Sequence, residues 1–145
     1  AHARAEGIPF TIHAGEAAGP ESIRQAVDYG TARIGHGVNC IHDKNLMNII
    51  AEKGITLELC PTSNLNTKIV NDIKDYPIDK IINNKIKVTI NTDNMTVSGT
   101  DEASEMKLIC DTFGYDGNMR RIFVNNAIDA AFLSDEMKEK LRGNL

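Results

Sequence analysis

The chain has 145 residues, 41% of them hydrophobic, enough for one core and simplest to read as one domain. Sixteen basic against twenty acidic residues give a net charge of −4 with no basic stripe, which argues against nucleic acid or an anionic membrane as partner. No apolar run approaches the roughly 20 residues of a membrane span, and no charged-then-apolar leader is expected.

The opening AHARAEGIPF has no Met and reads as the tail of a helix, with His2 in it. A first strand is expected over Ile8–Ile12. Pro20 then suits the first turn of a helix with the stripe Ile23, Ala26 and Val27. A second strand follows at Ala32–Ile34. His42 is expected to start the next helix, whose stripe is Leu46, Ile49 and Ile50 and whose end is Gly54. A third strand, Ile55–Leu59, leads to the stripe Ile78, Ile81 and Ile82, and a fourth strand covers Ile86–Ile90. Met106, Ile109, Cys110 and Phe113 form a further stripe closed by Gly114. The last apolar face, Val124, Ile128, Ala131 and Phe132, precedes Ser134, an N-cap candidate with Asp135 and Glu136 in its first turn. Cys40, Cys60 and Cys110 are odd in number and far apart, a usage that fits a reducing cytoplasm better than a disulfide framework.

Strands separated by helices make βα units and a parallel sheet buried on both faces. Four units are either a small open α/β domain or about half of a (β/α)8 barrel, which typically needs about 250 residues. After the strands come HAGE, RIGHG, ELCPTSN and INTDN. Polar residues therefore recur at every carboxyl end, the edge where parallel α/β folds build their sites. Each residue alone has a plain structural role: His13 as a satisfied strand-end histidine, Glu16 as a solvated loop acid, Asp93 and Asn94 as turn formers. Ser63 and Asn64 would bond their own loop. His36 is sharper, because Gly35 and Gly37 let backbone or ligand approach closely. Repetition at successive strand ends is the signal.

Two histidines and two carboxylates suit a borderline divalent metal such as zinc, which takes N and O ligands and keeps a position open for water. All four groups cannot be ligands if one must also move protons. Glu16, three residues beyond His13 and past a glycine, is placed to reach over the site. A desolvated carboxylic acid there could donate a proton to a substrate nitrogen. Composition and spacing extend as far as metal-assisted hydrolysis and leave the substrate open.

TIHAGE, RIGHG, CPTSN and NTDN, in this order and separation, resemble the adenosine deaminase family of the amidohydrolase superfamily. NNAIDAAFLSDEMKEKL resembles that family's C-terminal helices, so the likeness covers essentially the whole chain. The zinc cytidine-type deaminases carry H-x-E and P-C-x-x-C instead; CPTS reverses the first dipeptide and lacks the second cysteine.

The resemblance implies an α/β fold: residues 1–145 as the C-terminal half of one catalytic domain, strands five to eight of a (β/α)8 TIM barrel plus C-terminal helices. It implies one zinc ion per complete site, with His13 and Asp93 as ligands. Glu16 would protonate purine N1, and His36 would orient or deprotonate the attacking water and stabilise developing charge. Gly15 would bring backbone close to the purine, while Cys60 to Asn64 shape the mouth rather than react. The products would be inosine or deoxyinosine and ammonia.

Two departures from the family pattern stand out. Asn94 replaces the second of two consecutive aspartates, a position expected to contact purine N7; a neutral amide can donate to that acceptor. The family's first-strand His-x-His pair has no match here, since His2 and His42 read as surface residues. The missing pair, the missing start Met and the length fit a C-terminal portion of the enzyme, inactive alone and, with two ligands, a poor holder of zinc. Continuous aliphatic strands would also leave an apolar inner face exposed, so a partner is expected: the N-terminal half of the barrel or a second copy. The alternatives are deamination of another 6-aminopurine, adenine or AMP, and a non-catalytic, self-associating half-barrel.

Overall fold

A computed structural model describes residues 2–145. Four short strands, β1 (Thr11–Ala14), β2 (Arg33–His36), β3 (Thr56–Leu59) and β4 (Val88–Ile90), form one parallel sheet in the order β1-β2-β3-β4. The helices are α1 (His2–Ala5), α2 (Pro20–Asp28), α3 (Lys44–Glu52), α4 (Pro61–Asn66), α5 (Ile78–Asn83), α6 (Met95–Ser98), α7 (Glu102–Phe113), α8 (Gly117–Ala130) and α9 (Asp135–Arg142). Each expected strand is present, and every crossover carries a helix, as parallel pairing requires. No helix among the described residues is long and apolar enough to cross a membrane.

Boundaries differ where local chemistry intervenes. The first strand begins later than Ile8 because Pro9 has no N–H for the ladder; Phe10 O accepts from Ala32 N at 3.1 Å, and Ile8 stays 58% exposed. The second runs on to His36 rather than stopping at Ile34. His42 does not start a helix: it closes a 3-10 turn, Val38–His42, and Asp43 caps α3 by accepting from Leu46 N at 2.9 Å. Phe132 is not on the last apolar helix face. It lies beyond α8, with the Arg33 guanidinium 3.9 Å above its ring. Pro20 at the start of α2, the left-handed Gly114 after α7 and the Ser134 cap of α9 are as the pattern predicts.

Register explains the core. Ile12, Ile34, Leu57 and Val88 lie side by side across the sheet. Ile34, Leu57 and Val88 are buried there among Ile23, Leu46, Met47, Ile50, Ile78, Ile81, Ile109 and Phe123 from the helices. The alternate positions carry a different face: Thr11, Arg33 and Thr56, then His13, Gly35, Glu58 and Thr89. Arg33 Nε lies 2.9 Å from Glu58 Oε1, and Thr11 Oγ1 donates to Glu58 Oε2 at 2.6 Å. The expectation of an apolar inner face is therefore wrong. The strands alternate apolar and polar residues, so the side away from the helices is a hydrogen-bonded polar surface.

Candidate active site

The carboxyl ends of β1, β2 and β4 break into tight, left-handed backbone. Gly15 has φ 69°, His36 62°, Gly37 71° and Asp93 58°. His36 and Asp93 adopt this conformation without being glycine, a strain of the kind that accumulates at functional sites. Its effect on His36 can be read from register. His36 pairs with Ala14, and strand parity would send both side chains to the helix-covered face. The positive φ turns the imidazole over, and its ring centroid lies 4.3 Å from that of His13, a residue of the opposite face.

Two glycines beside His36 pack too closely against the core for any side chain. A Cβ on Gly15 would sit 2.2 Å from Ile23 Cδ1, and one on Gly37 would sit 2.8 Å from Leu57 Cδ2. The Gly15 N–H donates to Ser22 Oγ at 2.9 Å.

The polar groups converge. His13 Nε2 lies 2.8 Å from Glu16 Oε2, and His36 Nε2 lies 3.7 Å from the same oxygen and 3.9 Å from Asp93 Oδ2. Ser63 Oγ donates to Asp93 Oδ2 at 2.7 Å, and Thr67 Oγ1 donates to Glu16 Oε1 at 3.2 Å. His13, Glu16 and His36 offer ligand atoms all within 4.8 Å of one another, an N, O and N set that fits a borderline divalent cation. Asp93, expected as a ligand, stands at the rim of this group, beside His36. The His13 side chain is 61% exposed whereas that of His36 is 3% exposed, so one faces outward and the other is held within the fold. Asn94 does not extend freely: its Oδ1 accepts from Val97 N at 2.9 Å, capping α6 and leaving the amide NH2 to donate.

Burial sets the protonation states. Desolvation pushes the His36 pKa below the usual histidine value, outweighing the pull of Glu16 and Asp93 in the other direction. The buried Cys60 thiol is pushed up to about 12, first by desolvation and then by the carboxylates around it, so it stays protonated and unreactive.

Two residues of the site escape sequence reading. Asn64, expected to bond its own loop and to help shape the mouth, is fully buried, and its amide reaches both His36 and Glu16. Tyr76 was no candidate at all, yet its hydroxyl donates to Asn64 Oδ1 at 2.9 Å. A lone Tyr in NDIKDYPID carries no local sign of this; the only hint was a polar residue following Pro61 in a short helix.

Comparison with known proteins decides the family. A family model described as adenosine deaminase matches residues 1–145. The chain belongs to the adenosine deaminase family. It is 44% identical over 143 residues to an adenosine deaminase of Haemophilus ducreyi and 41% identical over 141 residues to one of Clostridium perfringens. These alignments take in 99% and 97% of this chain but 42% of each relative, so the chain spans less than half the length of the curated relatives it matches. Among solved structures, the fold superimposes on an adenine deaminase from Arthrobacter aurescens with a TM-score of 0.91 at 24% identity, covering 97% of this chain and 43% of that one. It matches an N6-methyl-AMP deaminase from Arabidopsis thaliana with a TM-score of 0.87 at 29% identity, over 97% and 41% of the two chains. A zinc-bound amidohydrolase from Burkholderia ambifaria gives 0.86 at 27% identity, over 97% and 40%. The four βα units thus correspond to the C-terminal half of a TIM barrel.

Proposed function

We propose that the intact protein carrying this chain hydrolyses adenosine and deoxyadenosine to inosine or deoxyinosine and ammonia, with residues 1–145 forming the C-terminal half of its one catalytic domain. The observation that carries this reading is the convergence of His13, Glu16, His36 and Asp93 from the ends of β1, β2 and β4 in a chain 44% identical to a curated adenosine deaminase.

His13 and Asp93 would hold one zinc ion, together with ligands from outside this chain. Bound zinc supplies Lewis-acid activation of the attacking water. Glu16 delivers a proton to purine N1, which draws electrons from C6 and opens it to attack. His36, neutral and desolvated, orients the water and stabilises charge as the C6–O bond forms. The C6–N6 bond then breaks and ammonia leaves; of the two protons of the water, one ends on the departing nitrogen and the other restores the Glu16 acid. The Asn94 amide donates to N7. Gly15 brings its backbone to the purine, exchanging Ser22 Oγ for a purine acceptor. The 145-residue chain alone is expected to be inactive and to hold zinc weakly, because two ligands leave the coordination shell open. Its partner is the rest of the barrel rather than a second copy, since the copy would bring no further ligands of the His-x-His type. The three buried free cysteines favour a reducing, cytoplasmic setting.

Deamination of another 6-aminopurine is the second reading, because the superimposing structures include an adenine deaminase and an N6-methyl-AMP deaminase. Release of ammonia from adenosine, deoxyadenosine, adenine and AMP, and of methylamine from N6-methyl-AMP, distinguishes the two. Adenosine is expected to have the highest kcat/KM; a preference for a nucleotide or the free base would transfer the assignment, and no turnover of any would end it.

A further inference from the structure

Asn64 lies wholly buried in α4, yet its amide joins three residues from other parts of the fold. Tyr76 Oη lies 2.9 Å from Asn64 Oδ1. Asn64 Nδ2 lies 3.1 Å from His36 Nδ1 and 3.4 Å from Glu16 Oε1. A carboxylate only accepts hydrogen bonds, and a phenol O–H donates readily to an amide oxygen. The amide is therefore oriented from both ends, with its N–H groups towards Glu16 and His36. Nδ1 of His36 then accepts, and the neutral ring carries its hydrogen on Nε2, the nitrogen facing Glu16 and Asp93.

We propose that Asn64 is a positioning residue: its amide, held by the Tyr76 hydroxyl, fixes His36 as the Nε2–H tautomer and sets the Glu16 carboxylate beside it. This sharpens the role of His36 and rests, for its kinetic part, on the deaminase reading. A ring held in this form presents a donor to the reacting centre. It can orient and stabilise oxygen, but it cannot accept a proton at Nε2. Tyr76 acts one step further away, by keeping the amide from turning round. Asn64, His36 and Tyr76 are all buried, so water does not compete for the bonds among these three.

The test uses the intact protein carrying this chain, labelled with 15N-histidine. Long-range 1H–15N correlations report which ring nitrogen of His36 bears hydrogen, and the signal is assigned by its loss in His36→Asn. Wild type is expected to show Nε2–H. Asn64→Asp offers Nδ1 an acceptor in place of a donor, so the tautomer should reverse to Nδ1–H. In the same variant kcat should fall at least ~10-fold while KM changes less than about threefold, since the amide acts on catalytic groups and not on the purine. Tyr76→Phe keeps the ring and removes only the donor; it should give a mixture of tautomers and a smaller fall in kcat.

A wild-type His36 with hydrogen on Nδ1 overturns the proposal whatever the protein deaminates. So does an Asn64→Asp protein that keeps both tautomer and kcat. If that variant does not fold, Tyr76→Phe with unchanged tautomer and unchanged kcat overturns it. Failure of the deaminase reading looks different: no 6-aminopurine is turned over, while the tautomers still reverse as stated.

Discussion

Ile34 and His36 stand two residues apart on β2, and both are buried, at 0% and 2% exposure. Ile34 has ordinary strand geometry and apolar neighbours from the sheet and its covering helices. His36 has a left-handed backbone and polar or charged neighbours on four sides: His13, Glu16, Asn64 and Asp93. One position is held by dispersion and exclusion of water, which tolerate near-isosteric replacement. The other is held by directional bonds in a desolvated place, where removing one partner leaves another unsatisfied. The same strand thus carries a residue buried among apolar side chains and, two positions later, one buried among polar groups with a left-handed backbone.

Glu16→Gln probes the chemical side most directly, and its effect should be the largest. The amide keeps the shape but cannot deliver a proton to purine N1, so kcat should fall about 10²–10⁴-fold. Zinc content and unfolding midpoint should stay as in wild type. Steady-state kinetics with metal analysis checks this, and near-normal kcat would remove Glu16 from its role.

Ile34→Ala should do the opposite. Truncating a fully buried aliphatic in the row Ile12, Ile34, Leu57 and Val88 should cost about 2–5 kcal/mol in denaturant unfolding. The kcat of the protein still folded should change little. A large drop in kcat without loss of stability would mean that the two regions are not separable.

Glu105→Ala lies between them. Glu105 is buried on α7, and its Oε2 accepts from Thr62 N at 3.1 Å, at the start of α4, where Cys60 offers no side-chain cap. Removing it leaves a partly buried N–H without its side-chain partner, worth about 1–3 kcal/mol. The lower end is expected, because Oε1 of Glu105 has no hydrogen-bond partner among the described residues and its loss relieves that burden. Since α4 carries Ser63 and Asn64, a modest fall in kcat should accompany the loss of stability. Urea titration and kinetics on one preparation measure both.

Much of this contrast was legible in the residues. The four βα units followed from β-rich runs alternating with helical stripes, and the site from polar residues recurring at each strand end. The polar inner face was legible too, in principle: Thr11, His13, Arg33 and Glu58 stand at alternate positions of their strands, but treating the strands as uniformly aliphatic hid the period of two. His36 misleads any parity rule, because its side depends on a φ that a Gly-His-Gly triplet permits but does not dictate. The bonds of Asn64 to His36 and Tyr76 could not be read at all. They span 28 and 12 residues, and only the packing of α4 against the strand ends brings these side chains together.

The smallest predicted effect is electrostatic and lies on the outer layer of the fold, away from both regions. Asp43 caps α3 through Leu46 N and pairs with Arg24; the backbone bond first, and the guanidinium after it, hold its pKa below the ordinary 3.8. A pKa depressed in the folded state means that the carboxylate stabilises the fold above the unfolded value and that this contribution fades as pH falls through the folded one. Asn is as good a cap as Asp but does not titrate. Wild type should therefore have the higher Tm near neutral pH, and its advantage over Asp43→Asn should shrink below about pH 4 and vanish once the carboxyl is protonated. Carboxylates shared by the two proteins cancel in the difference. A Tm offset that stayed constant from about pH 6 to about pH 2 would show that Asp43 acts here through shape alone, without its charge.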